Sequence, residues 1–399
     1  MKKRILFVVN TFSRAGAETA LLSLLKVFAE NNQYEISLFV LMGQGELALS
    51  MPENVRLVNS HYSTKSVLEK SGKPVMIKTV LCALLAHGNL FRLSGYLLEN
   101  WNAMRKKKKV RGDKLLWRVL SEGAERFNEE YDLAVAFLEG GSAYYVADHV
   151  RAKKKAAFIH IDYEKAGYSR NLDRDCYLGF DAVFPIGENV KNKFLGVYPE
   201  CRNRTFLFPN VVNQEEIRKK AKEPGGFADN YNGIRILTVG RLSPQKSYPV
   251  ATETMYLLKQ ERADVRWYVL GEGPERKKLE HLIADYGLEK DFCLCGSVDN
   301  PYPYYAQTDL YVHATGFEGK SIAIQEAQTL GCAVIVSESS AEQVQDGEDG
   351  IVCELNPQVL KNTILNLINE PRKRAAFGRK AALRKTNCEE QVRLLEELL

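Results

Sequence analysis

The stretch "HATGFEGKSIAIQEA", residues 313–327, poses a choice between two α/β machines. Gly319-Lys320-Ser321 has the ending of a phosphate-gripping P-loop, whereas Glu318 and Glu326 bracket it with carboxylates. A P-loop needs glycine five positions before the Gly of its Gly-Lys-Ser/Thr. Ala314 stands there, and its Cβ would sit where the loop must fold tightly round phosphate. "DLYVHAT" instead reads as a strand and "SIAIQEAQTLG" as a helix stopping at Gly331, which makes 318–321 the turn between them. Ser321 is then the N-cap or the first helical residue. A helix start carries free N–H groups and partial positive charge, so it can hold an anion without any P-loop. Glu318 precedes that start and Glu326 lies about a turn and a half inside it. A carboxylate there can accept hydrogen bonds from the paired hydroxyls of a sugar or ribose diol.

The same strand–loop–helix logic recurs on both sides. Ile5–Val9 is a buried strand followed by "NTFSRAGAE" and the apolar-periodic "TALLSLLKVFAE". "YEISLFVLM", "DLAVAFLEG", "KAAFIHI" and "AVFPIGE" are further strands of a first series. "IRILTVG", "VRWYVLGEG", "KDFCLCGSV", "DLYVHAT" and "CAVIVSE" form a second series, after a linker at Pro209-Asn210. In an open α/β sheet, ligands sit beyond the carboxyl ends of strands. Gly240, Arg241 and Lys246 of "VGRLSPQK" fall there, two cations suited to a di-anion such as pyrophosphate or else merely lying on a surface loop. Gly271 and Gly273 permit close backbone approach, but Arg276 replaces the third glycine of a nicotinamide fingerprint.

Composition sets outer limits. A chain of 399 residues, 45% hydrophobic and 26% charged, is an ordinary globular protein with room for two domains. Its formal charge of +5 favours anionic ligands or a membrane surface and falls short of a nucleic-acid binder. The scattered cysteines, including Cys293 and Cys295, lack a completing pair or histidine, so buried thiols in a reducing cytoplasm are expected. The apolar run Ile5–Val9 is shorter than the ~7–15 residues of a signal peptide, and no span of ~20 apolar residues follows, so neither secretion by that route nor membrane integration is expected. Residues 62–126 differ from the rest: apolar helical sequence leads into "RKKKKVRGDK" (105–114). This segment is either a solvated helix face beside a loop or an amphipathic patch that docks on anionic lipid. Asp173-Arg174-Asp175, the one DxD, follows no apolar strand and is expected to be surface carboxylates.

Taken together, the paired glutamates in "EGKSIAIQEA", the Arg/Lys motif "VGRLSPQK", the glycine loop "RAGAE" and the linker "PNVVN" resemble the retaining glycosyltransferases of family four, also called group 1. Asn213 stands where that linker often has aspartate. The resemblance implies a GT-B fold, with two Rossmann-like domains facing a central cleft. It divides the chain into an acceptor domain (1–208, with 62–126 inserted), a nucleotide-sugar domain (209–375) and a C-terminal helix (376–399) packing back on the first. It also implies roles. Arg241 and Lys246 neutralise the departing diphosphate, helped by Gly240, Gly271 and the amides around Gly319, Lys320, Ser321 and Ile322. Glu326 holds the ribose and Glu318 the donor sugar. Gly16 and Ala17 approach the donor, and His160 faces the transferred sugar. Asp162 and Glu139 are weaker candidates for the acceptor.

The implied enzyme is a cytoplasmic, metal-independent hexosyltransferase, possessing no cofactor, that uses a nucleotide sugar (UDP-sugar by family frequency). Its acceptor would be a glycan or lipid-linked glycan of bacterial cell-surface polysaccharide, with the protein in part peripheral on an anionic membrane through 105–114. The alternatives are a sugar-nucleotide epimerase or hydrolase of the same fold, and a catalytically silent partner subunit.

Overall fold

The computed structural model describes residues 2–67, 69–106, 111–261, 264–385 and 388–399. The chain divides into two compact units, Met1–Val211 with Asn387–Leu399, and Val212–Thr386.

The first unit is built on six parallel strands: β1 (Lys3–Val9), β2 (Tyr34–Val40), β3 (Val55–Leu57), β4 (Glu130–Ala136), β5 (Arg151–Ile159) and β6 (Ala182–Pro185). They lie in the order β3-β2-β1-β4-β5-β6. Ile5 to Val9 are buried without interruption, as a strand with helices on both faces requires. The helix α1 (Gly16–Ala29) connects β1 to β2 and buries Leu21, Leu24, Leu25 and Phe28, one face at helical spacing. Between β3 and β4 the described residues form the α-helices α2 (Lys73–Leu85), α3 (Asn89–Arg92), α4 (Ser94–Lys106) and α5 (Gly112–Gly123). The helix α2 seats closely on α5, because a Cβ on Gly123 would lie 2.5 Å from the Ala83 Cα. The helix α6 (Gly141–His149) follows β4. Of the polybasic stretch, residues 107–110 lie outside the described residues.

The second unit repeats the plan with β7 (Ile234–Val239), β8 (Val265–Leu270), β9 (Phe292–Gly296), β10 (Leu310–His313), β11 (Ala333–Ser337) and β12 (Gly350–Cys353). Their order is β12-β11-β10-β7-β8-β9, all parallel. In each sheet the first three strands run outward one way and the last three the other. The direction of winding therefore reverses between β1 and β4, and between β7 and β10, the crevices where doubly wound sheets bind ligands.

At the start of this unit Asn213 caps the helix Gln214–Lys220, accepting the Glu216 N–H at 2.9 Å, so asparagine serves as an N-cap here. The expected tail boundary at 375 is corrected. The helix Pro371–Ala382 stays in the second unit, with Phe377 in its core and the Gly331 carbonyl so close to Gly378 that a Cβ would meet it at 2.1 Å. Only Asn387–Leu399 joins the first unit, where Glu396 accepts the Tyr34 hydroxyl at 2.8 Å.

Candidate functional site

The reversal point of the second sheet gathers a polar cluster. Beyond β7 the chain crosses Gly240 and Arg241 and turns through Pro244–Lys246; beyond β10 it enters the loop carrying Glu318. These loops are stitched together: Gly316 N–H donates to the Gln245 carbonyl at 2.9 Å, and Gln245 Nε2 donates to the Phe317 carbonyl at 2.9 Å. Lys246 Nζ consequently pairs with Glu318 Oε2, and the buried His313 places Nε2 3.3 Å from both. Tyr311 fixes the other face of that ring, its hydroxyl 3.0 Å from Nδ1. Burial alone would raise the Glu318 carboxyl, but Lys246 and His313 hold it down at about 2. His313 is lowered to about 4 by burial and by the Lys246 charge. The cluster is thus an ionised Lys–Glu pair beside a neutral imidazole.

The other predicted members fall out differently. Arg241 is exposed, and no hydrogen bond or ion pair engages its side chain among the described residues. Gly271 does make a close approach, but to its own chain: a Cβ there would lie 2.0 Å from the Gly240 carbonyl, and φ is +148°. Its glycine is needed for packing at the strand ends.

Ser321 occupies the N-cap position of the helix Ile322–Thr329, the first of the two expected places, and its side chain makes no capping bond. Gln343 grips the Ser321 peptide instead, accepting its N–H at 2.6 Å and donating to its carbonyl at 2.8 Å. The N–H groups of Ile322, Ala323 and Ile324 have no acceptor among the described residues. A rigidly held helix entry with unused donors suits an anion. Gly319 and Lys320 lead into it; burial, opposed by the Glu342 carboxylate, lowers the Lys320 ammonium.

Glu326 is buried inside that helix and is already engaged. Its Oε1 accepts the Tyr302 hydroxyl and its Oε2 the Tyr305 hydroxyl, each at 3.1 Å. Burial raises its carboxyl to about 7, with the two tyrosines opposing. Tyr305 in turn lies 5.4 Å, ring to ring, from Tyr311, linking Glu326 to the His313 cluster. A carboxyl raised above its unfolded value favours the protonated folded state. Its contribution to stability is therefore greatest below about 4.5 and falls as pH rises toward 7. Glu326→Gln should consequently raise stability at pH 8 relative to pH 5 by up to about 3 kcal/mol when both are referred to the parent chain. Urea titrations at the two pH values check this; an equal difference at both would contradict it.

In the first unit, Asn10 bridges the reversal point, its Nδ2 donating to the Glu139 carbonyl at 3.1 Å while its Oδ1 accepts the Ser142 N–H at 2.7 Å. The Glu139 carboxylate is buried and accepts the backbone N–H of His160 at 3.0 Å, so it ties β4 to β5. Burial raises its carboxyl. The His160 ring packs 5.0 Å from Phe137 and 6.0 Å from Phe158. Burial lowers it to about 3, and its Nε2 is buried with no hydrogen-bond partner. A neutral imidazole with one nitrogen unmatched is an invitation to a ligand hydroxyl. Gly16 and Ala17 begin α1 just past β1, and the space a Gly16 Cβ would take is open. Asp162 is buried and accepts the Lys165 N–H at 3.0 Å, closing a turn.

The DxD expectation is half corrected. Asp175 is exposed and pairs with Arg170 at 2.7 Å, but Asp173 is fully buried beneath three tyrosine hydroxyls, from Tyr144, Tyr163 and Tyr198. Glu122, Asp148 and His149 bring their ligand atoms within 4.8 Å of one another. Arg92 and Arg126 already pair with Glu122, and Arg118 with Asp148, so guanidinium groups neutralise these carboxylates.

A pair of doubly wound sheets, each with polar groups at its reversal point, is the GT-B fold. A model of the family "Glycosyl transferases group 1" matches residues 217–384, and this segment belongs to that family. The chain is 30% identical over 208 residues to the Campylobacter jejuni N-acetylgalactosamine-N,N'-diacetylbacillosaminyl-diphospho-undecaprenol 4-alpha-N-acetylgalactosaminyltransferase, covering 51% of this chain and 55% of that one. It is 25% identical to the Bacillus subtilis poly(glycerol-phosphate) alpha-glucosyltransferase, over 50% of this chain and 29% of that protein. The chain thus spans about half the length of the first relative and less than a third of the second. Anabaena Alr3699/HepE, solved with UDP and glucose, superposes with a TM-score of 0.68 at 17% identity, over 98% of each chain.

Proposed function

We propose that this protein is a retaining, metal-independent glycosyltransferase that moves a hexose from a UDP-sugar to a glycan or lipid-linked glycan in bacterial cell-surface polysaccharide synthesis. The observation that carries the reading is the reversal-point cluster, where Lys246, Glu318 and His313 meet beside unused helix amides. The group 1 family match, the acceptors in the relatives' names and the UDP bound to Anabaena HepE support donor and acceptor class.

The difficult event is rupture of the bond between the anomeric carbon and the phosphate oxygen. The oxygen keeps the electron pair, so negative charge builds on the departing diphosphate while the acceptor hydroxyl oxygen bonds to the carbon and gives up its proton, which the departing phosphate oxygen can take. Cations and fixed amides stabilise that charge more than they stabilise the bound donor. Lys246 is held ready by Glu318, Arg241 is uncommitted, and the amides of Ile322 to Ile324 are already oriented. Glu318, ionised in its pair with Lys246, can accept from sugar hydroxyls. The Glu326 oxygens retain lone pairs for a ribose diol beside the tyrosines. In the first unit, the unmatched His160 Nε2 can meet a hydroxyl of the transferred sugar.

A thermal-shift series with UDP and UDP-hexoses, with and without EDTA, tests the donor. A nucleotide at 100 times its dissociation constant should add about 2.7 kcal/mol of stability, and EDTA should not change it. UDP release should then require an acceptor. Release without acceptor would make the protein a hydrolase, a rearranged sugar nucleotide would make it an epimerase, and no affinity for any nucleotide sugar would leave it a silent subunit.

A further inference from the structure

Seven of the twelve most exposed large apolar side chains among the described residues fall between Ile77 and Leu116, a small part of the chain. Their arrangement follows helical geometry. The helix α2 turns Met76, Val80, Ala83 and Leu84 inward, where they pack on the core of the first unit. Its outward face carries Ile77, Leu81 and Leu85 at i, i+4, i+8, the last 75% exposed. A helix apolar on both faces normally lies in a protein interior, and a surface helix turns polar residues to water. The helix α4 repeats the anomaly: Tyr96, Asn100 and Met104 are buried, while Leu98, Trp101 and Arg105 share an outer stripe. Phe91, on the short α3 between them, is 84% exposed. All three helices pack against α5, which places the stripes on one helical lobe.

Charge decides what covers this lobe. Residues 73–114 hold ten Lys and Arg against two Asp and Glu, in a chain whose whole formal charge is only +5. The rest of the chain is therefore net acidic, and the apolar stripes stand in a concentrated positive field. A second copy of this chain would bring the same field and be repelled. An anionic bilayer matches both properties, taking aliphatic and aromatic side chains at the acyl boundary and cations at the phosphates. Among the described residues no helix is long and apolar enough to cross a membrane, so α2 and α4 would lie along the surface.

We propose that the outer faces of α2, α3 and α4 dock the protein on an anionic lipid bilayer, with Ile77, Leu81, Leu85, Phe91, Leu98 and Trp101 inserted and the exposed cations Lys78, Arg105 and Lys106 against the headgroups. Trp101 beside Arg105 fits the interfacial pairing of an aromatic anchor with a cation whose head reaches the phosphates. This inference does not depend on the transfer reaction.

Flotation of the full chain with vesicles of phosphatidylcholine plus phosphatidylglycerol, against pure phosphatidylcholine, tests it. Binding should require the anionic lipid and weaken as salt is raised. Lys78→Gln/Arg105→Gln/Lys106→Gln should lower partitioning by about fivefold per charge. Leu81→Ser/Leu85→Ser should lower it by about tenfold or more without changing the UDP thermal shift. The charge variant leaves the packed faces untouched and reports even if the serine variant folds poorly. Equal binding to neutral vesicles, or parent-like partitioning of the charge variant, overturns the proposal. So does a stable dimer in sedimentation that Leu81→Ser/Leu85→Ser dissolves, because the occupant would then be a second copy. Vesicle binding without any nucleotide shift would instead leave the docking face standing and remove the transferase reading.

Discussion

Lys246→Ala should lower donor-dependent turnover by about 10²–10³-fold and destabilise the second unit by about 3–5 kcal/mol. Both effects come from one geometry. Lys246 is mostly buried against Glu318, with His313 Nε2 3.3 Å from each. Without the ammonium, the Glu318 charge is left in a poorly hydrated site with a neutral imidazole. Burial then dominates, so its carboxyl should rise well above its present value of about 2. The pH dependence follows with a definite sign. A depressed carboxyl contributes stability above its unfolded value of about 4.5 and loses it as pH falls toward 2, so the variant should lack this component of acid loss. Pairing Lys246→Met with Glu318→Gln removes both charges and should recover most of the stability while turnover stays lost. Arg241→Ala, at an exposed and unengaged side chain, should weaken UDP binding and leave the urea midpoint unchanged. Unfolding curves and initial rates of UDP release for the four proteins separate these outcomes. A Lys246→Ala protein with the parent's midpoint and rate would remove the cluster from the reaction.

The contrast between Lys246 and Arg241 shows what the sequence carries and what it omits. Both cations follow an apolar run ending in glycine, a local pattern, and both emerge at a strand end as that pattern requires. The long buried strands were legible for the same reason: five unbroken apolar residues in β1 have few other uses. The strand β3 has only three residues, and β12 opens on Gly350 with Ile351 and Val352 only half-buried, so neither carries the unbroken apolar run that marks a core strand. The partners of the site residues were not legible. Tyr302 and Tyr305 reach Glu326 from more than twenty positions upstream, and Gln343 reaches Ser321 from as far downstream. Those distances along the chain become contacts only through sheet order. His313 stood at the head of the decisive stretch, but a histidine ending a strand has many meanings until Lys246 and Glu318 are seen beside it.

Asp173 is the sharpest instance, and it carries the other large effect. Asp173→Ala should cost about 5 kcal/mol, a large share of the ~5–15 kcal/mol that holds a domain folded. The carboxylate has no exposure and accepts hydroxyls from Tyr144 at 2.8 Å, Tyr198 at 3.0 Å and Tyr163. Its own carbonyl accepts Arg118 Nη2 at 2.7 Å, and that guanidinium lies 4.0 Å from the Tyr144 ring centroid and pairs with Asp148. Alanine would strand three hydroxyls and open a cavity beneath a buried cation. Asp173→Asn keeps the size and one acceptor oxygen and should lose roughly half as much. Burial, opposed by the tyrosines and Arg118, raises the Asp173 carboxyl to about 6. Its native contribution therefore falls as pH rises from about 4 to 6, and the asparagine penalty should be smaller at pH 7 than at pH 4 by at most about 3 kcal/mol. Chemical denaturation at the two pH values measures both quantities. A metal-ligating Asp173 would behave in the opposite way: the alanine variant would keep the parent's midpoint and lose activity that depends on added divalent ion. Three tyrosine hydroxyls take three of the about four lone-pair sites of a carboxylate with no exposure to solvent, so a cation would have to break the cage to gain a second ligand lone pair, and that competition makes stability, rather than turnover, the quantity Asp173 controls.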